Sequence, residues 1–292
     1  MGRSGQKRFS MSEKIILPAF LLCFFLGCVE VPSSAGPQAG ALDGSPSSLP
    51  SATVWYLGHA GFAVKVDHKL LIFDYVPKLG TTSTDADADG LDDGYIRPSD
   101  LEGLEVFVFV SHHHGDHYHR EIFTWKNKVK KIHYFFGWLG TWEAENYPDH
   151  HHMAGPRATA EVDGVRVFTV NSKADGIPEV AYLVEVDGLW LYHNGDHFTQ
   201  DDEDLEYLAQ ITSGLEMAFV TNATGDEGRL LTEKVIRFLE RFQPQVVFPM
   251  HRGFRGGEEE AHEEFAEMLT RRGMTLDVRL PRVRGDRFEV EW

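Results

Sequence analysis

The sequence predicts a layered α/β domain behind a non-globular N-terminal segment. Three observations predict it. From Thr53 onward, short apolar runs rich in β-branched and aromatic residues alternate with Gly- and Asp-containing turns, which is the signature of strands. One run, VFVFV at 106–110, is apolar at every position, as in a strand covered on both faces. The last third alternates such runs with apolar stripes at helical spacing, which places helices against a sheet.

In chain order, Arg3, Lys7, Arg8 and Lys14 form a basic start, followed by an apolar stretch from Ile15 to Phe25 that is short for a bilayer span. It ends in Leu26-Gly27-Cys28, which resembles a bacterial lipobox, with Phe25 where Leu is usual. Residues 1–28 are therefore expected to be a lipoprotein-type signal peptide with Cys28 as the lipidation site. The mature chain would be anchored by acyl chains to a bacterial cell envelope, facing the periplasm or exterior. Residues 29–52 are rich in Pro, Ser, Gly and Ala and read as a flexible linker. The folded domain is expected over 53–292.

VWYL, FAVKV and LLIFDY suggest a strand meander turning at GHAG and DHK. An acidic segment follows, DADADGLDD at 85–93. Asp85, Asp87, Asp89 and Asp93 with Gly90 resemble a calcium loop, but the twelfth position is Ile96 where a bidentate carboxylate is needed. Ca2+ is a candidate ligand there; a solvated acidic insertion is the alternative. REIFTW (120–125) suggests a short helix, and KIHYFF, VRVFTV, AYLVEV, LWLYH, EMAFV and QVVFPM suggest strands. Leu231, Val235, Phe238, Leu239 and Phe242 form one helical stripe, and Ala261, Phe265, Met268 and Leu269 another; both are core faces.

The formal charge is −17, from 28 Lys and Arg against 45 Asp and Glu, which argues against a nucleic-acid partner. The only cysteines are Cys23 and Cys28, so the folded part has no thiolate, and any metal there must be held by imidazoles and carboxylates. Such residues cluster after the 106–110 strand, as His112, His113, His114, Gly115, Asp116 and His117. His112 and His114 are two apart, and in an extended segment alternate side chains share a face. Gly115 permits a turn that aims Asp116 and His117 elsewhere. Two imidazoles beside a separate carboxylate–imidazole pair suit one or two metal ions. His113 and His119 fall outside this spacing.

The H-x-H-x-D-H run resembles the signature of the metallo-β-lactamase superfamily, and the resemblance extends over most of 53–292. YLGHAGFAV and LIFDY are similar to the family's opening strands, LWLYHNGDHF to its glycine–aspartate motif, and VVFPMHRGF to its last motif. What this implies is a four-layer αββα sandwich with metal at the rim between two sheets. The implied ligands are His112, His114, Asp116, His117, Asp196 as a bridge, and His251. Asp74 stands at the family's first motif and is a candidate to hold a ligand in place; His193 is another, and is also a candidate to stabilise a leaving group. A further histidine usual midway is absent, since Asn171, Ser172 and Lys173 stand there. His150, His151 and His152 lie earlier and are not assigned to the site.

The activity implied is hydrolysis of a small-molecule ester, lactone, amide or phosphodiester by metal-activated water, with Asp116 as ligand and water-orienting residue. Zn2+ is the expected ion, with iron or manganese as alternatives. The missing histidine supports the rival reading, a non-catalytic lipoprotein stabilised by metal. A redox role of the flavodiiron kind is a weaker expectation, since no flavin-binding pattern is read after the sandwich in these 292 residues.

Overall fold

The computed structural model describes residues 49–77, 90–138, 140–147, 149–155, 157–172, 177–196, 201–221, 225–251 and 258–292, with the side chains of 171–172, 225–231 and 258–261 not described. Cys28, Asp85, Asp87, Asp89 and Lys173 lie outside these residues; of the acidic segment, Asp93 ends a short 3-10 turn at Leu91–Asp93. The chain divides into two units, Met1–Ser47 and Ser48–Trp292.

Among the described residues, fourteen strands form two seven-stranded sheets. The first contains β1 (Ser51–Gly58), β2 (Gly61–Val66), β3 (Lys69–Phe73), β4 (Glu105–Val110), β5 (Lys131–Phe136), β6 (His151–His152) and β14 (Arg287–Glu291), in the order β14-β1-β2-β3-β4-β5-β6. The second contains β7 (Thr159–Val162), β8 (Val165–Ser172), β9 (Glu179–Val186), β10 (Leu189–His193), β11 (Met217–Thr221), β12 (Val246–Met250) and β13 (Asp277–Val278), in the order β13-β12-β11-β10-β9-β8-β7. The meander β1–β3 is antiparallel, whereas β3, β4 and β5 are parallel. In the second sheet β10, β11 and β12 are parallel.

Strand alternation builds the layers. On the first sheet Val54, Tyr56, Phe62, Val64, Leu71, Phe73, Phe107 and Phe109 face inward, against Val167, Tyr182, Val184, Leu191, Phe219 and Phe248 of the second. The intervening residues Trp55, Leu57, Leu70, Ile72, Val106 and Val108 face outward, under a cluster with Ile122, Phe123 and Trp125. Those three belong to Arg120–Asn127, which is 3-10 helix rather than a full α-helix. The outer face of the second sheet is covered by α2 (Asp202–Ile211), α3 (Gly225–Phe242) and α4 (Glu258–Arg271), through Leu208, Phe238, Leu239, Phe265 and Leu269. α1 (Thr141–Asn146) lies beside the first sheet, where Trp142 packs on its outer cluster. The result is a four-layer αββα sandwich, with apolar residues on both faces of the central strands because each sheet is buried on both sides.

Several of these elements escape the sequence reading. β6, β7, β13 and β14 have little buried apolar surface to announce them: β14 buries one residue, Val290, of five; α2, whose Leu205 and Leu208 do pack on the core, also goes unread. The first strand also starts at Ser51, two residues before the expected boundary.

At one edge of the sandwich, backbone hydrogen bonds cross between the sheets. Val180 N–H at the start of β9 donates to Ser111 O just past β4, at 3.2 Å, and His251 N–H past β12 donates to His59 O in the β1–β2 turn, at 3.2 Å. Tyr182 of β9 places its hydroxyl 2.9 Å from Val110 O and 3.1 Å from Phe135 O. The two sheets are therefore registered at the edge where the histidine cluster emerges.

Candidate metal centre

Each functional side chain leaves the end of a buried strand. β4 delivers Ser111 and then His112, β3 delivers Asp74, β10 leads to Asp196, and β12 ends at His251. The backbone departs from extended geometry at these points: Asp74 has φ 43°, His251 φ 60° and His59 φ 54°. Left-handed conformation is disfavoured for residues with a Cβ, on the order of 1–3 kcal/mol, and such strain concentrates at functional sites.

The histidine loop is fixed from below. Asp74 is buried and accepts three hydrogen bonds: from Ser111 N at 2.7 Å, from Ser111 Oγ at 2.7 Å and from His117 Nδ1 at 2.8 Å. His112 Nδ1 lies 3.0 Å from Ser111 Oγ. With both Nδ1 atoms engaged, the two rings present Nε2 to the site, the tautomer a metal ligand needs. Asp74 thus fixes the orientation of the His117 ring.

Asp196 is placed by its own neighbours. Its N–H donates to Glu179 Oε1 at 2.5 Å, and Thr221 Oγ1 donates to Gly195 O at 2.5 Å. Its carboxylate then meets three rings, with His251 Nε2 at 2.7 Å and His117 Nε2 at 3.2 Å from Oδ1, and His112 Nε2 at 3.6 Å from Oδ2. Among the described residues, three groups each bring one donor atom per residue within 4.8 Å of the others: His59, Asp116, His117 and His251; His112, His114 and Asp116; and His112, His117 and Asp196. All six residues expected from the sequence thus come together.

Electrostatics follow from burial and proximity. The His112 ring is pushed down to about 4, chiefly by burial and then by the neighbouring His117. Burial would also depress His117, but Asp74 and Asp196 on either side outweigh it and hold its pKa well above the ordinary value. For Asp196, burial is outweighed by His117 and His251, which keep the carboxylate well below its usual range. Asp116 is held low chiefly by the His59 ring, 3.5 Å away. His59 itself is lowered, first by burial.

These residues fit a metal. His117 Nε2, Asp196 Oδ1 and His251 Nε2 are buried, converge on one another and make no hydrogen bond of good geometry, which leaves a polar concavity requiring a cation or protons. Imidazoles and carboxylates are a donor set for borderline divalent ions.

One expected role of His193 is corrected, that of meeting a leaving group. Its Nε2 lies 2.8 Å from Ala60 O, its Nδ1 accepts from Gly195 N–H at 3.2 Å, next to Asp196, and its ring stacks on Phe73. It is fully buried, so it cannot meet a leaving group, and it instead ties the β1–β2 turn to the Asp196 loop. His150, His151 and His152 sit at the β6 edge of the first sheet, His151 stacked on Phe135, apart from the three donor groups.

Two residues were not read from the sequence. His59 lies in GHAG, a glycine-flanked turn, and only the fold brings it against β12. Glu179 starts β9, and strand register puts it opposite Ser172, where a histidine is missing. Its buried carboxylate also stands 3.8 Å from His112 Nδ1. A carboxylate directly before an apolar strand was the available signal.

Beside the centre is a cavity of about 590 Å³ lined by His113, Tyr118, Arg120, Trp138, Trp142 and Pro178, among others. His113 and Pro178 adjoin site residues in the chain. Tyr118 OH donates to Glu143 Oε1 at 2.6 Å, and Arg120 lies over the Trp142 ring at 3.9 Å.

Comparison with known proteins gives the same architecture. A model described as the beta-lactamase superfamily domain matches residues 53–251. A relative from Thermococcus onnurineus, described as a UPF0173 metal-dependent hydrolase, is 26% identical over 205 residues, covering 68% of this chain and 83% of that protein. A metallo hydrolase from Ignicoccus hospitalis superposes with a TM-score of 0.60 at 18% identity, covering 83% of this chain and 99% of that one. The diiron β-hydroxylase CmlA from Streptomyces venezuelae superposes with a TM-score of 0.57 at 10% identity, covering 85% of this chain and 55% of that one. With the matched segment running from β1 to the His251 strand end, the chain belongs to the metallo-β-lactamase superfamily.

Proposed function

We propose that the chain is a metal-dependent hydrolase acting on a small molecule with an ester, lactone or amide bond. The observation that carries this reading is the convergence of His112, His114, Asp116, His117, Asp196 and His251 at one open edge between the sheets. Asp116 and Asp196 keep 27% and 16% of their side chains exposed, whereas His112 and His117 are buried, so the donor set has a closed floor and an open mouth.

A bound divalent cation, most simply Zn2+ with this donor set, would supply Lewis acidity and acidify water at the site. The protein's own contribution is positional. Asp74 and Ser111 hold the His117 and His112 rings. Glu179 and Thr221 hold the Asp196 loop. Asp116, ionised and facing the mouth, accepts a hydrogen bond from water and directs it toward the substrate. The aromatic walls of the adjoining cavity, Tyr118, Trp138 and Trp142, suit an apolar substituent. That lining and the acidic surface favour carbonyl substrates over phosphodiesters.

The test is turnover of a panel of aryl esters, lactones, amides and phosphodiesters by protein of measured metal content. Hydrolysis lost on chelation and restored by Zn2+ supports the reading. Asp116→Asn, assayed at saturating Zn2+, is expected to lower kcat by about 100-fold or more. A fully metal-loaded protein inert across the panel would overturn it.

We further propose that the enzyme is lipid-anchored through Cys28 to a bacterial cell envelope, on the basic and apolar residues that precede Leu26-Gly27-Cys28. Among the described residues no helix is long and apolar enough to cross a membrane. Cys28→Ser should release the protein from the membrane fraction; retention of the variant there would refute the anchor.

A further inference from the structure

We propose that His59, in the turn between β1 and β2, is a metal ligand. It makes the donor group His59, Asp116, His117 and His251 the tight site, and leaves the His112 and His114 side as a weaker second position. The cation it takes is a divalent first-row transition ion. The inference rests on the metal-hydrolase reading and deepens it.

Four observations carry it. One donor atom from each of the four residues lies within 4.8 Å of the other three, a condition for sharing one ion. The His59 ring is 4.2 Å from that of His251 and 5.4 Å from that of His117, and its Nε2 is 3.5 Å from Asp116 Oδ2. His59 is buried at 7% exposure although it sits in a turn, and turns are ordinarily solvated.

The fourth observation is conformational. His59 and His251 both hold left-handed backbone, at φ 54° and 60°, and the two are joined by the His251 N to His59 O hydrogen bond at 3.2 Å. A turn that needs positive φ is best served by Gly or Asn. This turn has glycine at 58 and 61 yet places an imidazole at the left-handed position between them. Two histidines, one from each sheet, are thereby held with tilted rings 4.2 Å apart, an arrangement in which both can reach one ligand and which gives the backbone strain a purpose.

The asymmetry follows from donor counts. The His59 side gathers three imidazoles and Asp116, and Asp196 Oδ1 lies 2.7 Å from His251 Nε2 and 3.2 Å from His117 Nε2. The other side offers His112 and His114, with Asp116 and Asp196 shared between the two. On that side Glu179 faces His112 Nδ1, the nitrogen turned away from Asp196, and so supports the ring rather than adding a donor.

The experiment uses the full-length protein in mild detergent, stripped of metal and titrated with Co2+. Calorimetry gives affinity and stoichiometry, and visible absorption reports the ligand field. The wild type is expected to bind two ions in separated steps. His59→Asn, chosen because Asn tolerates left-handed backbone, should weaken the first step by more than about 100-fold, beyond the usual effect of a supporting residue. It should also change the spectrum of the first equivalent. His114→Ala should weaken only the second step. His59→Gly serves as a second variant if the first fails to fold, with circular dichroism of the metal-free form as the check. An unchanged first-equivalent spectrum in the His59 variants overturns the assignment, whatever the loss in affinity. So does a first step that His114→Ala abolishes. Absence of Co2+ binding to the wild type would instead remove the metal-hydrolase reading itself.

Discussion

Asp74 shows how one side chain organises the centre without touching a substrate. It receives Ser111 N–H, Ser111 Oγ–H and the His117 ring at 2.7–2.8 Å inside a buried pocket. Asp74→Asn keeps the shape but replaces one acceptor oxygen with a donor and removes the charge facing His117. Metal affinity is expected to fall by about 10–100-fold, read by competition with a chromophoric chelator, while the fold is retained. Unchanged affinity would show that the His117 ring is oriented by other contacts. Glu179 plays the matching part for Asp196, and Glu179→Ala leaves the Asp196 N–H without its acceptor in a buried place. A loss of about 1–3 kcal/mol in stability is expected from denaturant unfolding. The six candidate donors were legible in the sequence because four cluster in the loop after one apolar run and the other two follow apolar runs of their own. His59 and Glu179 were not, since a histidine between glycines and a glutamate before a strand are ordinary surface features until tertiary structure buries them.

Between neighbouring strands, the edge bearing the centre depends on close approach. An added Cβ at Gly137, just past β5, would lie 1.9 Å from Ser111 O and 2.7 Å from Val180 Cγ2. Those two atoms belong to the residues whose backbone bond joins the sheets, so the clash cannot be relieved by a side-chain rotation alone. Gly137→Ala should push the Ser111–His112 segment away from β9, costing about 1–3 kcal/mol or more by overpacking and lowering metal affinity with it. A thermal melt and a metal titration on the same variant check both effects; a loss of stability with normal affinity would mean the loop moves as a rigid piece. Tyr182→Phe probes the same junction more gently, by removing the hydroxyl that reaches Val110 O and Phe135 O, for about 1–2 kcal/mol. The central strands were readable because both faces are apolar, from VFVFV in β4 to VVFPM in β12. The edge strands were not: β14 and β13 pair through backbone groups that any sequence possesses, and their few buried side chains set no period.

Taken as one body, the sandwich places its candidate metal-binding groups on both sheets at once. His112, His114, Asp116 and His117 follow the first sheet's β4, and Asp196 and His251 follow the second sheet's β10 and β12. Without a cation, the carboxylates and rings that meet there must be matched by protons, and three backbones remain in left-handed conformation at Asp74, His59 and His251. A cation that binds the folded state alone adds stability by mass action, about 4 kcal/mol when free metal exceeds Kd by 1,000-fold. For a domain of this size each kcal/mol shifts Tm by roughly 2–4 °C, so chelation should lower Tm by roughly 10 °C. The shift should reverse on adding back metal and should grow with free metal concentration, as linkage requires. Because the candidate ligands come from both sheets, unfolding of the metal-free protein is also expected to begin by parting them at this edge. Hydrogen exchange would then show Val180 N–H and His251 N–H losing protection first, while amides in the middle of β4 and β9 stay protected. If chelation instead lowered protection evenly across both sheets, the ion would be stabilising the whole domain rather than clasping its open end.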